Sequence, residues 1–181
     1  MAEDDRRHWD ERYAVEGPPS STAAGPPDVF APYADVFPSA GRALEIACGQ
    51  GQAAVWLAQR GLTVWGVDVS SVAVDRARDL ARRTGVADRC RFEAVDLDGG
   101  LPAGPAVDVL MCHRFRDRRL DGAIRERLAP GGLLAMAVLS EVGAAPGRFR
   151  AAPGELRAAF GDLDVLHSGE GQGLAWLLAR R

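Results

Sequence analysis

A glycine turn between two acidic positions is the part of the chain whose residue types could do chemistry. Residues 43–51 read Ala-Leu-Glu-Ile-Ala-Cys-Gly-Gln-Gly, and Asp68 ends the next apolar segment. Glycines in such a turn let the backbone approach a ligand, because no Cβ stands in the way. A carboxylate at the tip of the second strand can accept both hydroxyls of a ribose. The pattern therefore predicts a pocket for a cofactor that carries an adenosine.

Two further acids bear on the kind of cofactor. Glu45 lies inside the first apolar segment, where an acid would repel a pyrophosphate but suit an ammonium group. Asp96 follows the third apolar segment and could accept a hydrogen bond from an exocyclic amine. Residues 49–54 also fit the dinucleotide pattern G-x-G-x-x-[GA], a match that is weak by itself. Glu45 argues against NAD.

The elements that must position these residues alternate between strands and helices from residue 42 onward. Apolar runs predict strands at 42–47, 62–67, 90–95, 107–112, 132–139, 163–167 and 174–179. Helical spacing and caps predict helices at 4–14, 28–37, 52–60, 70–84, 117–128 and 153–160. The alternation indicates a parallel sheet with right-handed crossovers. The last two strands, with only a turn at 168–173 between them, must be antiparallel, and the Gly/Pro-rich segment 17–27 is predicted to be a mobile loop without a packed element.

The motifs together resemble those of a known family. Residues 44–51 resemble the first motif of class I S-adenosylmethionine-dependent methyltransferases, an acid-x-Gly-x-Gly-x-Gly pattern. Asp68 matches that family's ribose-binding acid and Asp96 its adenine-side acid. Residues 128–132, Leu-Ala-Pro-Gly-Gly, match the Leu-x-Pro-Gly-Gly that leads into the family's fifth strand.

The resemblance covers residues 40–180 and implies the fold. We expect an α/β protein with a three-layer Rossmann-like class I methyltransferase fold, whose seven-stranded, mostly parallel sheet ends in an antiparallel C-terminal strand pair. One domain would span 1–181, with N-terminal helices, a lid and a flexible loop in 1–41 and the Rossmann-like core in 42–181. Residues 9–13, Trp-Asp-Glu-Arg-Tyr, and 153–156, Pro-Gly-Glu-Leu, are loosely similar to tellurite-resistance and thiopurine-type methyltransferases.

The cofactor implied by the resemblance is S-adenosylmethionine, with S-adenosylhomocysteine as the product. The residues expected to bind it are Glu45, Ala47, Cys48, Gly49, Gly51, Asp68, Val69, Asp96, Leu97 and Cys112. Ala47 departs from the family pattern, which usually has a glycine there. Alanine costs little where φ is negative, but about 1 kcal/mol or more where φ is positive.

The acceptor chemistry is expected at the end of the fourth strand. His113 is a candidate general base, or else it binds backbone or lines the cofactor pocket. A thiolate or a metalloid anion would need no base. The residues that could bind the acceptor or form a lid are Trp9, Arg12, Tyr13, Arg114, Arg148 and Arg150. Trp9 and Tyr13 could instead pack the first helix on the core, and the arginines could be a solvated surface.

Four arginines, at positions 114, 116, 118 and 119, bear on the charge of the acceptor. They are either a solvated cluster paired with acids such as Asp117 and Asp121, or a rim that attracts an anionic small molecule. Arginines without interleaved aromatic residues are a poor signal for nucleic acid. We therefore expect a small-molecule acceptor, with an anionic one as an option, and neither nucleic acid nor membrane as a partner.

Composition excludes several other chemistries. The chain has 181 residues and a net charge of −3, and all 22 basic residues are arginine, which rules out lysine nucleophiles. The three cysteines match no metal spacing, so we expect no metal site. Unpaired cysteines are typical of a cytoplasmic protein, and we expect a cytoplasmic location. We also expect a monomer or a homodimer. The alternatives are a non-catalytic protein that binds the same cofactor and, less favoured, an NAD(P)-dependent oxidoreductase.

Overall fold

Strands and helices alternate along the chain in the computed structural model, which describes residues 2–147 and 149–181. The helices are α1 Ala2–Glu16, α2 Gln52–Gln59, α3 Ser71–Arg83, α4 Asp121–Arg127 and α5 Glu155–Phe160. The strands are β1 Arg42–Ile46, β2 Thr63–Asp68, β3 Cys90–Ala94, β4 Val107–His113, β5 Leu128–Ser140, β6 Arg150–Ala151, β7 Asp164–Gly171 and β8 Leu174–Arg180. Short 3₁₀ turns occupy Ser21–Ala23, Asp28–Val36, Ala87–Arg89, Leu97–Gly99 and Arg118–Leu120.

All the strands belong to one sheet with the order β3-β2-β1-β4-β5-β8-β7. The first five strands pair in parallel, and β8 runs antiparallel to both β5 and β7. This confirms the predicted fold class. The structure adds one strand that the sequence did not predict, the two-residue β6, which pairs in parallel with the end of β5.

Both faces of the sheet are buried, which makes three layers. Side chains alternate between the faces along each strand, so Met111 of β4 packs with α2 and α3 while Cys112 packs with α4 and α5. Leu57 of α2 and Leu80 of α3 lie in the first cluster, and both are fully buried. The carboxyl ends of the parallel strands therefore carry neighbouring side chains toward opposite faces, and this decides which of them can reach the site.

Two predicted boundaries are wrong. The turn expected at 168–173 is shorter, because β7 continues to Gly171 and only Gln172 and Gly173 connect it to β8. Gly169 lies in this extension. A Cβ at this position would collide with the indole of Trp176 on β8, which explains why a glycine stands there. The helix expected at 117–128 begins with a 3₁₀ turn and is α-helical only over Asp121–Arg127, after which β5 starts at once.

The N-terminal segment packs more closely on the core than its composition predicts. Ser70 Oγ and Val72 N of α3 donate to Oδ1 of Asp10 on α1, at 2.5 and 3.2 Å, so α1 docks at the start of α3. The segment 17–27 contains a 3₁₀ turn and ends in a buried proline, Pro27, against the prediction that it holds no packed element. The helix expected at 28–37 is a kinked run of 3₁₀ turns. No helix in residues 2–147 or 149–181 has the length and apolar character that a membrane crossing requires.

Candidate cofactor-binding site

A cavity of about 830 Å³ lies at the carboxyl ends of the parallel strands, beneath α1 and the segment that follows it. Its volume suits a ligand of cofactor size, and its place is where open α/β sheets bind ligands. The predicted site residues that line it are Trp9, Arg12, Tyr13, Glu45, Ala47, Cys48, Gly49, Asp68, Val69, Asp96, Leu97, His113 and Arg114.

Three predicted residues do not line this cavity. Cys112 is fully buried on the opposite face of the sheet from His113, and its Sγ donates to the carbonyl of Phe115 at 3.0 Å. Gly51 begins α2 with φ +80°, and a Cβ there would collide with Ala77 of α3, so its role is close helix packing. Arg150 donates to the carbonyl of Ser140 at 2.8 Å. Arg148, also predicted, lies outside the described residues.

Ala47 has the unfavourable backbone conformation. Its φ is +52°, and the Cys48 N–H that follows donates to the carbonyl of Val67 at 2.9 Å. A left-handed conformation brings the Cβ of an L-residue close to its own carbonyl oxygen, at a cost of about 1–2 kcal/mol. The turn thus carries strain at a position that lines the cavity, and strain of this kind gathers at functional sites.

Replacing Ala47 with glycine is expected to raise the free energy of unfolding by about 1 kcal/mol, because glycine adopts positive φ without the Cβ penalty. Urea unfolding measures the change. Ala123→Gly in the middle of α4 is the matched control, where the same substitution should lower stability by about 0.5–1 kcal/mol. A loss of stability at both positions would show that Ala47 is not strained.

Asp68 organises the glycine turn. Gly49 N donates to its Oδ2 at 2.8 Å, and Ser70 N donates to its Oδ1 at 2.9 Å. Burial raises the pKa of Asp68 above its usual value, and these two backbone donors oppose that shift. Each carboxylate oxygen can accept two hydrogen bonds, so the side chain has acceptor capacity left for ligand hydroxyls.

Glu45 is a buried acid with an unsatisfied oxygen. The residue is 2% exposed, the backbone N–H of Ala54 hydrogen-bonds its carboxyl group, and Oε2 has no partner among the described residues. Burial raises the pKa of Glu45 to about 8, and the charge of Asp68 adds to the shift. A buried acceptor without a donor costs about 1–3 kcal/mol, so a ligand ammonium group in the cavity would satisfy it.

Asp96 and Leu97 line the cavity where the chain leaves β3. Asp98 N donates to Oδ1 of Asp96 at 2.9 Å, which fixes the carboxylate at the start of a 3₁₀ turn. Leu97 is nearly buried beside it. The carboxylate can accept a hydrogen bond from the amine of an adenine, and the apolar side chain can contact the flat face of its ring.

His113 lies at the other end of the cavity. Burial and then the charge of Arg114 lower the pKa of His113 to about 4, while Asp28 opposes the shift. The imidazole is therefore neutral at pH 7 and a weak base. Its predicted role as a general base remains a prediction.

The wall around His113 is apolar. Phe115 and Phe149 contact each other with ring centroids 5.5 Å apart. The other apolar residues that line this end are Val29, Ala31, Ala137, Leu139 and Leu174. Neither phenylalanine is predicted as a site residue from the sequence, although each follows a strand, β4 or β5, that ends at this edge. Their contact depends on two loops distant in sequence, which no local pattern reveals.

The structure divides the arginine cluster. Arg116 is buried against Asp121 and Glu155, at 2.5 and 2.6 Å. Arg118 pairs with Glu155 at 2.5 Å, and Arg119 pairs with Asp98 and Asp117, both at 2.7 Å. Three of the four therefore follow the paired alternative. Arg114 is the member of the cluster that lines the cavity, and it forms no ion pair with any described residue.

The described residues contain no group of three or more His, Cys, Asp or Glu that could hold a metal ion. The cavity's chemistry thus rests on its carboxylates, its arginines and His113.

Comparisons with known proteins agree with this geometry. A family model described as a methyltransferase domain matches residues 43–132. The methyltransferase GfsG of Streptomyces halstedii is 36% identical over 103 residues, 53% of this chain and 37% of that protein. The tRNA 5-carboxymethoxyuridine methyltransferase of Escherichia coli (strain K12) is 31% identical over 111 residues, 57% of this chain and 42% of that protein. The chain thus spans less than half the length of these curated relatives.

The crystal structure of TehB from Haemophilus influenzae is similar in fold. It has a TM-score of 0.74 at 17% identity, over 86% of this chain and 62% of that chain. At this identity the likeness concerns the fold alone. The family match, the strand order and the glycine turn between Glu45 and Asp68 together lead to one conclusion: the chain belongs to the class I S-adenosylmethionine-dependent methyltransferases.

Proposed function

We propose that this protein binds S-adenosylmethionine and transfers its methyl group to a small-molecule acceptor. The observation that carries the proposal is the unsatisfied Oε2 of buried Glu45, in the same cavity as Asp68. An acid at this position suits the ammonium of a methionine moiety and would repel the pyrophosphate of NAD. A buried acid with an unsatisfied oxygen is retained where a ligand compensates it.

The residues present fit the cofactor from end to end. Glu45 would hold the ammonium, Asp68 the ribose hydroxyls and Asp96 the adenine amine, with the backbone of Cys48 and Gly49 alongside. The cofactor supplies an electrophilic methyl group when bound. The protein's own contribution is to orient the acceptor beside that group and to exclude water.

The N-terminal segment would supply the cover. A Cβ built on Gly49 would lie 2.8 Å from the hydroxyl of Tyr13, so this tyrosine rests directly on the glycine turn. Trp9 lies one helical turn earlier, with its ring centroid 5.9 Å from that of Tyr13. We infer that residues 1–41 close over the core formed by 42–181 and that the two parts act as one domain.

A small-molecule acceptor is favoured over a nucleic acid, although one relative is named for tRNA. The cavity's volume of about 830 Å³ suits one cofactor together with a compact acceptor. Arg116, Arg118 and Arg119 are neutralised by carboxylates, so they form no continuous basic surface with Arg114. Binding to a phosphate backbone depends on such a surface.

Asp68→Ala is expected to weaken S-adenosylmethionine binding about 100-fold, because each charge-assisted hydrogen bond to a ribose hydroxyl contributes about 1.5–3 kcal/mol. Isothermal titration calorimetry measures the affinity. Asp75→Ala, on the exposed side of α3, is the matched control and should bind as the wild type does. Circular dichroism checks that both variants are folded.

Two outcomes would contradict the proposal. Tight binding of NADH by the folded wild type, without binding of S-adenosylmethionine, would favour the oxidoreductase. Cofactor binding without release of S-adenosylhomocysteine, across oxygen, nitrogen and sulfur acceptors, would favour the non-catalytic binder. His113 is a weak base, so it would give little help to an acceptor that must lose a proton.

A further inference from the structure

The acceptor end of the cavity combines one unpaired cation with an apolar wall. Arg114 lines the cavity, and its guanidinium forms no ion pair with a described residue. Its backbone is held in place, because its N–H donates to the carbonyl of Ala137 at 2.7 Å while its φ is +60°. Phe149, in the aromatic pair beside it, also has a left-handed backbone, with φ +62°. Both wall positions therefore have a left-handed backbone, a conformation that is uncommon for residues other than glycine.

The acids that line the cavity form no ion pair with Arg114 among the described residues. Asp98 and Asp117 are both paired with Arg119. Glu45, Asp68 and Asp96 face the proposed cofactor positions. Asp28 faces His113, and Asp5 and Glu16 belong to the covering helix α1. At this end Asp28 is thus the acid beside His113, and Arg114, directly before Phe115, is the described cation without an ion pair.

The described residues at this end include no strong base for a neutral hydroxyl or phenol. His113 is the nearest candidate, and its burial beside Arg114 keeps it a weak base. Efficient general bases have pKa values near the working pH. An acceptor that reacts here should consequently need no base, and beside the cation Arg114 an anionic attacking atom is favoured.

We propose that the acceptor is a carboxylic acid on a flat apolar body, placed by the guanidinium of Arg114 and the wall of Phe115 and Phe149. This inference rests on the proposed function. A carboxylate oxygen forms the new bond to the methyl carbon, and the carbon–sulfur bond breaks with its electron pair left on sulfur. The products are a neutral methyl ester and a neutral thioether. The two opposite charges cancel, and no proton moves.

Three probes of one shape but different charge test the proposal: 2-naphthoate, 2-naphthamide and 2-naphthamidine. Their affinities are measured by titration calorimetry with the protein saturated by S-adenosylhomocysteine. We expect the naphthoate to bind about tenfold more tightly than the amide, since a charge-assisted contact to Arg114 adds to the shared apolar contacts. With S-adenosylmethionine present, mass spectrometry should find methyl 2-naphthoate, formed at a rate that is independent of pH between 6 and 8.

Two arginine variants separate the role of Arg114 from general electrostatics. Arg114→Gln should remove the preference for the naphthoate while leaving the affinity for the naphthamide unchanged. Arg82→Gln, an equal change of charge on the exposed side of α3, should keep the preference.

Equal affinity for the three probes, tighter binding of the amidine, or no binding of the naphthoate would each overturn the inference. The proposed function fails differently, since it fails if the folded wild type does not bind S-adenosylhomocysteine at all. Binding of S-adenosylhomocysteine together with methylation of neutral alcohols or amines alone would leave the function standing and exclude the acid acceptor.

Discussion

Replacing Arg116 with methionine is expected to lower the free energy of unfolding by about 3–5 kcal/mol. The side chain of Arg116 is 2% exposed and makes two hydrogen bonds to Asp121, at 2.5 and 2.8 Å, and one to Glu155 at 2.6 Å. Methionine matches its apolar stem but leaves both carboxylates without this partner. A buried, uncompensated charge costs far more than the loss of an exposed ion pair.

The site should also respond, because Arg116 joins two loops of the acceptor wall. Glu155 begins α5, just after the loop that carries Phe149, and Arg116 directly follows Phe115. Losing the ion pairs should let this wall move. We expect weaker acceptor binding with cofactor affinity nearly unchanged, since Glu45 and Asp68 lie on other strands.

Urea unfolding of three variants tests this account. Arg7→Met breaks an ion pair with Asp4 in which both side chains are more than 70% exposed, so its stability should stay close to the wild type. Combining Arg116→Met with Asp121→Leu and Glu155→Met should recover most of the loss, because no buried charge is then left unpaired and Arg118, which loses Glu155, is exposed. A single-variant loss below about 1 kcal/mol would contradict the assigned role of these pairs.

The parallel sheet and the glycine turn could be predicted from the sequence because both follow from local patterns. Apolar runs separated by capped helices indicate a parallel sheet, and Asp68 ends such a run. At the end of β4 the sequence identifies the right edge of the sheet but cannot choose between Cys112 and His113. Both faces of this strand are buried, so an apolar run does not show which face holds the ligand.

Long-range contacts were beyond the sequence for a different reason. That Asp10 would accept hydrogen bonds from Ser70 and Val72 depends on how α1 docks, which neither helix specifies alone. The local acids Asp121 and Asp117 could be predicted as partners of the arginine cluster, whereas Glu155 for Arg116 and Asp98 for Arg119 come from separate elements. The sign of φ at Ala47 is another such case, because alanine itself gives no hint of a left-handed conformation.

Raising the pH from 6.5 to 8 is expected to destabilise the ligand-free protein by about 2 kcal/mol, and Glu45→Gln should abolish this effect. Burial raises the pKa of Glu45 from its usual 4.5 to about 8. Between these values the folded protein keeps a proton that the unfolded chain has released. Higher pH therefore favours unfolding, and the stabilisation is lost as the pH rises through the folded-state pKa.

The window begins at 6.5 because His113 opposes Glu45 below that pH. Burial and Arg114 lower the pKa of His113 from 6.5 to about 4, so between these values the unfolded chain holds the extra proton and stability rises with pH. The two slopes largely cancel from pH 4.5 to 6.5. The raised pKa of Asp68 acts in the same direction as Glu45, starting above pH 3.8. Burial raises the pKa of all three thiols above 9, so they stay protonated up to pH 8.

Glu45→Gln keeps the size of the side chain and the acceptor for Ala54 N–H but removes the titration. Urea unfolding of the ligand-free variant should show a flat profile from pH 6.5 to 8 and, below 6.5, the contribution of His113 without the opposing one of Glu45. Glu126→Gln, exposed on α4, should retain the wild-type profile. Glu45→Gln should be more stable than the wild type at pH 8, because it removes a carboxylate that destabilises the ligand-free protein. It should also bind S-adenosylmethionine more weakly, because the same carboxylate would contact the ammonium group. Unchanged cofactor affinity, or a pH profile like that of the wild type, would show that Glu45 is a structural acid rather than a ligand-binding one.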